Sequence, residues 1–330
     1  MRANRSTSAP IRKAAPLLLG AIGVTCFSVT FPATTAAESS FSPLLVGMGR
    51  SVIAAVLAIT VLAGRRQPLL PPRAAVPRLL VVAGTVCMGF GLLSALALRQ
   101  VDSVHGAVLT GLIPAATAGM AVLRAGERPR PAYWAALVLG LAVVIAFAVA
   151  QGGGRLRRAD VLLLIAIAVA GLGYAEGGAL AREYGGWRVI CWALVLALPV
   201  TLPVTAAAVS TDPPGQVSAG AVLGLGYVGV VSMCLGFFAW YQGLALGGVA
   251  RVGRLQLAQP ALTLIWSAVL LGEPVGWLSA AAATAVIAVT AVGRNAGVDS
   301  RPPRSRPSLH NGPPRALPPP RPVSPGPGKG

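Results

Sequence analysis

Leu112-Ile113-Pro114-Ala115 leads through apolar sequence to Ala125-Gly126-Glu127-Arg128, and Ala258-Gln259-Pro260-Ala261 leads in the same way to Leu271-Gly272-Glu273-Pro274. Each stretch is a Pro, eleven residues and a Gly-Glu pair, and the two are offset by 146 residues. Each follows the end of an apolar run, at Ala95–Leu98 and at Leu244–Leu246, and each is followed by one further run. Self-similarity at a fixed offset marks two copies of one folding unit.

The composition says which solvent that unit meets. Of 330 residues, 55% are apolar and 11% charged, with a mean hydropathy of +0.72. A water-soluble domain carries about 25% charged residues, so a soluble enzyme, a nucleic-acid module and a disulfide scaffold are excluded. The net charge of +18 implies no nucleic-acid partner, because Lys and Arg lie between and beyond the apolar blocks and form no stripe. Cys26, Cys87, Cys191 and Cys234 sit inside apolar runs with no CxxC spacing and no adjoining His, as small buried hydrophobes do. Neither a metal nor a cofactor is expected.

A membrane-crossing helix takes about 20 apolar residues. Ten stretches qualify: 15–35, 42–63, 78–98, 104–123, 132–151, 159–180, 188–209, 217–240, 249–271 and 276–293. They lack the period-2 alternation of a barrel, which leaves the helix. The least distinct boundary is between the eighth and ninth, where Gly243, Gly247 and Gly248 provide the break. Arg2, Arg5, Arg12 and Lys13 ahead of a run ending in Ala33-Thr34-Thr35-Ala36-Ala37 also resemble a signal peptide, but the repeat needs this run as the partner of the sixth.

The expected fold is therefore an all-α polytopic membrane protein of ten helices. Its parts are a cytoplasmic arm (1–14), a first five-helix repeat (15–151), a linker (152–158), a second repeat (159–293) and a Pro/Arg-rich tail (294–330). With eleven prolines in 37 residues, the tail has the composition of a disordered segment. With the N-terminus inside, 20 basic residues fall on the inner side and four (Arg99, Arg155, Arg157, Arg158) on the outer, a firm positive-inside signal. Both termini are then cytoplasmic. Because five crossings is an odd number, the second copy is inserted upside down, which is a transporter architecture.

These motifs resemble the ten-helix drug/metabolite transporter superfamily (EamA-type). Its members place a Pro within the fourth span of each repeat and Gly-Glu at the exit, here Pro114 with Glu127 and Pro260 with Glu273. An Arg in the second span is also typical, and Arg50 in Met48-Gly49-Arg50-Ser51 matches it. The resemblance implies inverted repeats around a central cavity and transport of a small organic solute. The family's Trp-Gly pair in the first span of each repeat is replaced by Gly23-Val24-Thr25-Cys26 and Gly171-Leu172-Gly173-Tyr174, leaving that position without an indole.

Ionisable groups within hydrocarbon mark a pathway or a pair. Here they are Arg50, His105, Glu176, Arg251 and Arg254. Glu176 and Arg254 are candidates for substrate or proton coupling, the alternatives being a structural ion pair with each other or a carboxylate that reaches the interface. At the 146-residue offset Arg251 matches His105, Arg254 matches Val108, Gln256 matches Thr110 and Gln259 matches Ile113. This makes the ninth span the polar side of a cavity, or the polar lining of its cytoplasmic mouth. Tyr174, Trp240, Tyr241 and Gln242 are candidate aromatic and polar walls, with an interfacial belt the other reading for Trp240 and Tyr241. Glu127 and Glu273 oppose their own helix dipoles, which favours a loop or interface contact over transport chemistry. Glycines at four-residue spacing, Gly173 with Gly177 and Gly220 with Gly224, suit close helix packing. Gly224-Leu225-Gly226-Tyr227-Val228-Gly229 fits a dinucleotide fingerprint only in letters, since no strand precedes it.

The function expected is a secondary transporter of a metabolite, amino acid or drug-like compound, exporting it across the plasma membrane as a monomer or homodimer. The alternatives are a lipid flippase of the same fold and a membrane partner without transport. An intramembrane enzyme would need a cluster of catalytic side chains, and the sequence has none. Glu176→Gln is expected to abolish any proton dependence, and Arg254→Ala to impair transport.

Overall fold

The computed structural model describes residues 8–125, 131–248 and 252–296, and no strand occurs among them. Eight helical segments are long and apolar enough to cross a bilayer: Ala14–Glu38, Pro43–Gly64, Arg73–Leu98, Ser103–Leu123, Trp134–Gln151, Arg158–Tyr184, Gly186–Thr211 and Ala219–Gly247. Hydrocarbon offers no hydrogen bonds, so each backbone must satisfy itself internally. The stretch expected at 249–271 takes a different form, a 3-10 turn (Gly253–Ala258) running into a helix of 13 residues, whereas the stretch expected at 276–293 is a helix of 20 residues, Trp277–Ala296. Glu127, Arg251, residues 1–7 of the arm and residues 297–330 of the tail lie outside the described residues.

Several segments are interrupted. The first divides at Val29 into α1 (Ser8–Ser28) and α2 (Thr30–Glu38), and the second is α3 (Pro43–Gly64). The third is α4 (Val76–Val82) and α5 (Phe90–Leu98) joined by a π-helical stretch, Ala83–Gly89. The fourth divides into α6 (Ser103–Thr110) and α7 (Ile113–Ala125), followed by α8 (Pro131–Gln151), α9 (Arg158–Tyr184) and α10 (Gly186–Thr211). A second π-helical stretch, Tyr227–Gly236, joins α11 (Ala219–Gly226) to α12 (Phe237–Gly247). Last come α13 (Gln259–Leu271) and α14 (Trp277–Ala296).

The breaks have chemical causes. Proline has no N–H and collides with the carbonyl four residues back. Pro114 faces Thr110, where α6 stops, and Pro260 faces Gln256, inside the 3-10 turn. Ser42, Asp102 and Ser218 cap the starts of α3, α6 and α11, accepting from the N–H groups of Leu45, His105 and Ala221 at 3.3, 2.9 and 3.1 Å, as short polar side chains do at helix starts.

Packing follows small residues. A Cβ on Gly173 would collide with Thr85 and Val86, one on Gly177 with the Tyr241 ring, and one on Gly224 with the backbone of Ala33 and Ala37. A Cβ on Gly220, by contrast, would meet only the Ser218 hydroxyl, at 3.9 Å. The helix neighbours come in exchanged pairs: α1 lies on α12 as α9 lies on α5, and α7 lies on α9 as α13 lies on α1. Two contacts map onto themselves under the same exchange, α3 with α10 and α8 with α14, while α6 on α13 is answered by α7 on the 3-10 turn Gly253–Ala258.

Candidate functional site

The irregular segments meet around one chamber. It is narrow, a cavity of about 20 Å3, and draws on α1 to α3, both π-helical stretches, α5, α6, α9, α12 and α13. Four of the chain's seven phenylalanines, Phe27, Phe31, Phe90 and Phe237, line it together with Tyr174. Phe27 stacks on Tyr174 with ring centroids 6.1 Å apart, and Phe31 stacks on Phe90 at 6.2 Å. Phe237 closes the corner, 4.7 Å from Phe27 and 5.6 Å from Tyr174.

Into this aromatic box α3 projects Arg50, which is 3% exposed. Its guanidinium lies 5.7 Å from the Phe90 ring centroid and its Nη2 lies 3.7 Å from the Met233 sulfur. Its Nε has no hydrogen-bond partner, and Arg50 belongs to none of the ion pairs among the described residues. Gly91 makes the room, since a Cβ there would stand 2.7 Å from the Arg50 Nε. A cation placed in low dielectric without a counter-charge is costly unless an anion completes it.

The remaining walls are polar at the helix breaks. Thr30 and Ser232 share a 2.7 Å hydrogen bond across the chamber wall. Thr110 ends α6 and Gln259 begins α13; Thr263 donates to the Gln259 carbonyl at 2.9 Å, while the Gln259 Oε1 is buried without a partner. The arrangement therefore presents a guanidinium to an anionic group, an amide oxygen at Gln259 to a donor, and aromatic faces to an apolar body, in a space that must widen to admit more than a water-sized group.

Other polar residues singled out in the sequence lie elsewhere. Glu176, buried on α9, pairs with Arg78 of α4 and not with Arg254, because both lie at the end of the bundle where α4 packs on α9. Arg254 is exposed on the 3-10 turn. His105 Nε2 is 2.6 Å from Asp160 Oδ1, joining α6 to α9 behind the chamber. Gln256 is buried with its Nε2 unpartnered and does not line the chamber. Trp240 and Tyr241 are fully buried, so neither is an interfacial belt residue. Trp240 packs behind Phe27 and Tyr174, and Tyr241 donates to the Gly173 carbonyl at 3.1 Å. Gln242 accepts from the Gly186 N–H at 3.2 Å.

Glu273 makes an inter-helix contact. Gly272 ends α13 with φ +67°, the left-handed cap that glycine adopts without strain, and the turn swings Glu273 onto the start of α6. There its carboxylate accepts from Ser103 N–H at 3.1 Å, Val104 N–H at 2.9 Å and Ser103 hydroxyl at 2.8 Å. A carboxylate that opposes its own helix dipole is thus favourable at another's N-terminus.

Known proteins share this architecture. The model of the EamA-like transporter family matches twice, over residues 14–149 and 157–292. The chain belongs to the EamA-like transporter family. A Bacillus subtilis (strain 168) protein described as the uncharacterized transporter YdeK is 47% identical over 275 residues, covering 83% of this chain and 95% of that one. A protein of known crystal structure superposes with a TM-score of 0.59 at 19% identity, over 85% of this chain and 96% of the other, a likeness of fold alone. The two family matches give the repeat units seen in the Pro-Gly-Glu motifs, and the multi-pass membrane character agrees with the eight long apolar helices.

Sequence reasoning passed over Thr30, Ser232, Thr110, Thr263 and the four phenylalanines. The available signal was the scarcity of phenylalanine, seven in 330 residues, with Phe27 and Phe31 one helical turn apart.

Proposed function

We propose that this protein is a secondary carrier exporting a small organic solute that bears an anionic group, a carboxylate above all, on an apolar or aromatic body. The observation that carries this reading is Arg50: a buried guanidinium with no acidic partner among the described residues, facing a chamber walled by aromatic rings. Gln259 and the Thr30–Ser232 pair suit a second polar group on the same solute. Tyr174, which lines the chamber, belongs to the binding site; Trp240 and Tyr241 support it from behind.

Transport follows from two inverted five-helix repeats in a ten-helix bundle, parted at the linker 152–158 and alternately opening the chamber to either side. The exchanged packing pairs support this, as do π-helical stretches at matching places: residues 83–89 moved by 146 fall within Tyr227–Gly236. Broken helices at corresponding positions of two halves are the usual setting of a carrier's binding site. The excess of basic residues on one side supports a plasma-membrane orientation with both termini in the cytoplasm.

The flippase reading has one observation in its favour, a lateral groove beside Trp187, but that groove shares no lining residue with the chamber. The test is counterflow in proteoliposomes with a panel of aromatic and aliphatic carboxylates, their methyl esters and the matching amines. Carboxylates should exchange and the esters should not. Equal transport of acid and ester would overturn the assignment of Arg50, and exchange of lipid alone would favour the flippase.

A further inference from the structure

A second cationic site lies apart from the chamber, at the end of the bundle where Arg65 terminates α3 and α10 begins. Arg65 stands over the Trp187 ring at 5.2 Å from its centroid, and Arg188 stands over the same ring at 5.4 Å. Two guanidiniums therefore share one indole. Neither belongs to an ion pair among the described residues, and the Arg188 Nε is buried without a hydrogen-bond partner. Arg188 also occupies the first turn of α10, which contains no acid, although a helix start disfavours positive charge. Arg65, ending α3, suits its own dipole, so the unfavourable arrangement is concentrated at Arg188.

Next to this pair opens a groove of about 340 Å3 between α1, α3, α10 and α12. Its walls are Leu19, Val61, Leu235 and Phe238, and Leu235 is 51% exposed. The groove is mostly apolar, with Gln242 its polar wall residue; Arg65 lines it, and Arg188 adjoins it through the shared Trp187 ring. We infer that it binds one phospholipid with an anionic headgroup, the phosphate between Arg65 and Arg188 over Trp187 and an acyl chain along Leu235 and Phe238. Basic pockets between membrane helices hold anionic lipid heads in this way. A free phosphate would satisfy the arginines but leave the apolar groove to water, whereas a lipid fills both. The basic-residue distribution assigns this end to the cytoplasmic leaflet, where anionic lipids lie.

The test is native mass spectrometry of the full-length protein titrated with phosphatidylglycerol or phosphatidylcholine. Phosphatidylglycerol should be retained at a lipid concentration at least tenfold lower than phosphatidylcholine. The double variant Arg65→Ala/Arg188→Ala should lose that preference. Arg73→Ala, an exposed arginine in the loop at the same end, should keep it within twofold. Leu235→Trp, which fills the groove and leaves both arginines in place, should also cut retention at least tenfold. The inference is overturned by equal retention of the two lipids in the unaltered protein, by Arg73→Ala costing as much as the double variant, or by displacement of the lipid by equimolar inorganic phosphate. Should the double variant fail to fold, the lipid preference of the unaltered protein and the Leu235→Trp result decide.

Discussion

Arg50 and Glu176 are both buried charges in the membrane-spanning part of the chain, and the protein treats them in opposite ways. Glu176 has Arg78 as a partner, whose side chain is 40% exposed and reaches out to Glu183 as well. Arg50 is given aromatic rings, a thioether and a glycine-made gap, but no acid. Burial of a charge within hydrocarbon therefore does not by itself mark a transport site. What separates a structural charge from a working one is whether the fold supplies the counter-charge or leaves that to a ligand.

The largest effect should come from Arg50→Gln. Losing a charged contact to the solute is worth about 2–5 kcal/mol, so the Michaelis constant for a carboxylate should rise at least 30-fold. The melting temperature should hold or rise, because a buried uncompensated cation has been removed. A fall in stability with transport intact would place Arg50 with the structural charges and dissolve the contrast.

Gly91→Ala sharpens the same point from the neighbouring helix. Its methyl group would crowd the Arg50 Nε and the Gly47 carbonyl, each 2.7 Å away, and should weaken transport about tenfold (roughly 1.4 kcal/mol). Unaltered kinetics would mean the guanidinium can sit elsewhere.

Glu176→Gln is the reverse case. Removing a charged hydrogen-bond acceptor costs about 1.5–3 kcal/mol of stability, moderated because Arg78 can turn to water. The melting temperature should drop while solute affinity stays within threefold; loss of affinity with stability unchanged would move Glu176 into the transport site. The smallest effect is expected for Arg254→Ala, whose side chain is exposed outside the chamber. Uptake should stay within twofold of the unaltered protein, and a larger loss would show that the 3-10 turn reaches the solute.

That last expectation reverses the reading from sequence alone, and the reason is geometric. Gln256 and Gln259 share a face in the 3-10 turn as they would in an α-helix, but at about 2 Å rise per residue they stand roughly 6 Å apart along the axis, and a face says nothing of depth. Gln259 reaches the chamber and Gln256 does not. The helical class, the membrane character and the duplication were legible because each depends on composition or on motifs repeated along the chain. Partners across the bundle were not. Nothing in the local sequence says that Glu176 meets Arg78 across 98 residues, or that Trp240 and Tyr241 turn inward to α1 and α9. Pro114 and Pro260 lay between these extremes: their chemistry announces a break, but not that both breaks open onto the same space.

Glu273 has a consequence for movement. One carboxylate from late in the chain fastens the opening turn of α6 through three hydrogen bonds at once. Drawing α6 away from α13 would free two amides and a hydroxyl in a single event. Because the three bonds share one carboxylate, they hold or part together, and any separation of these two helices would cost all of them at once.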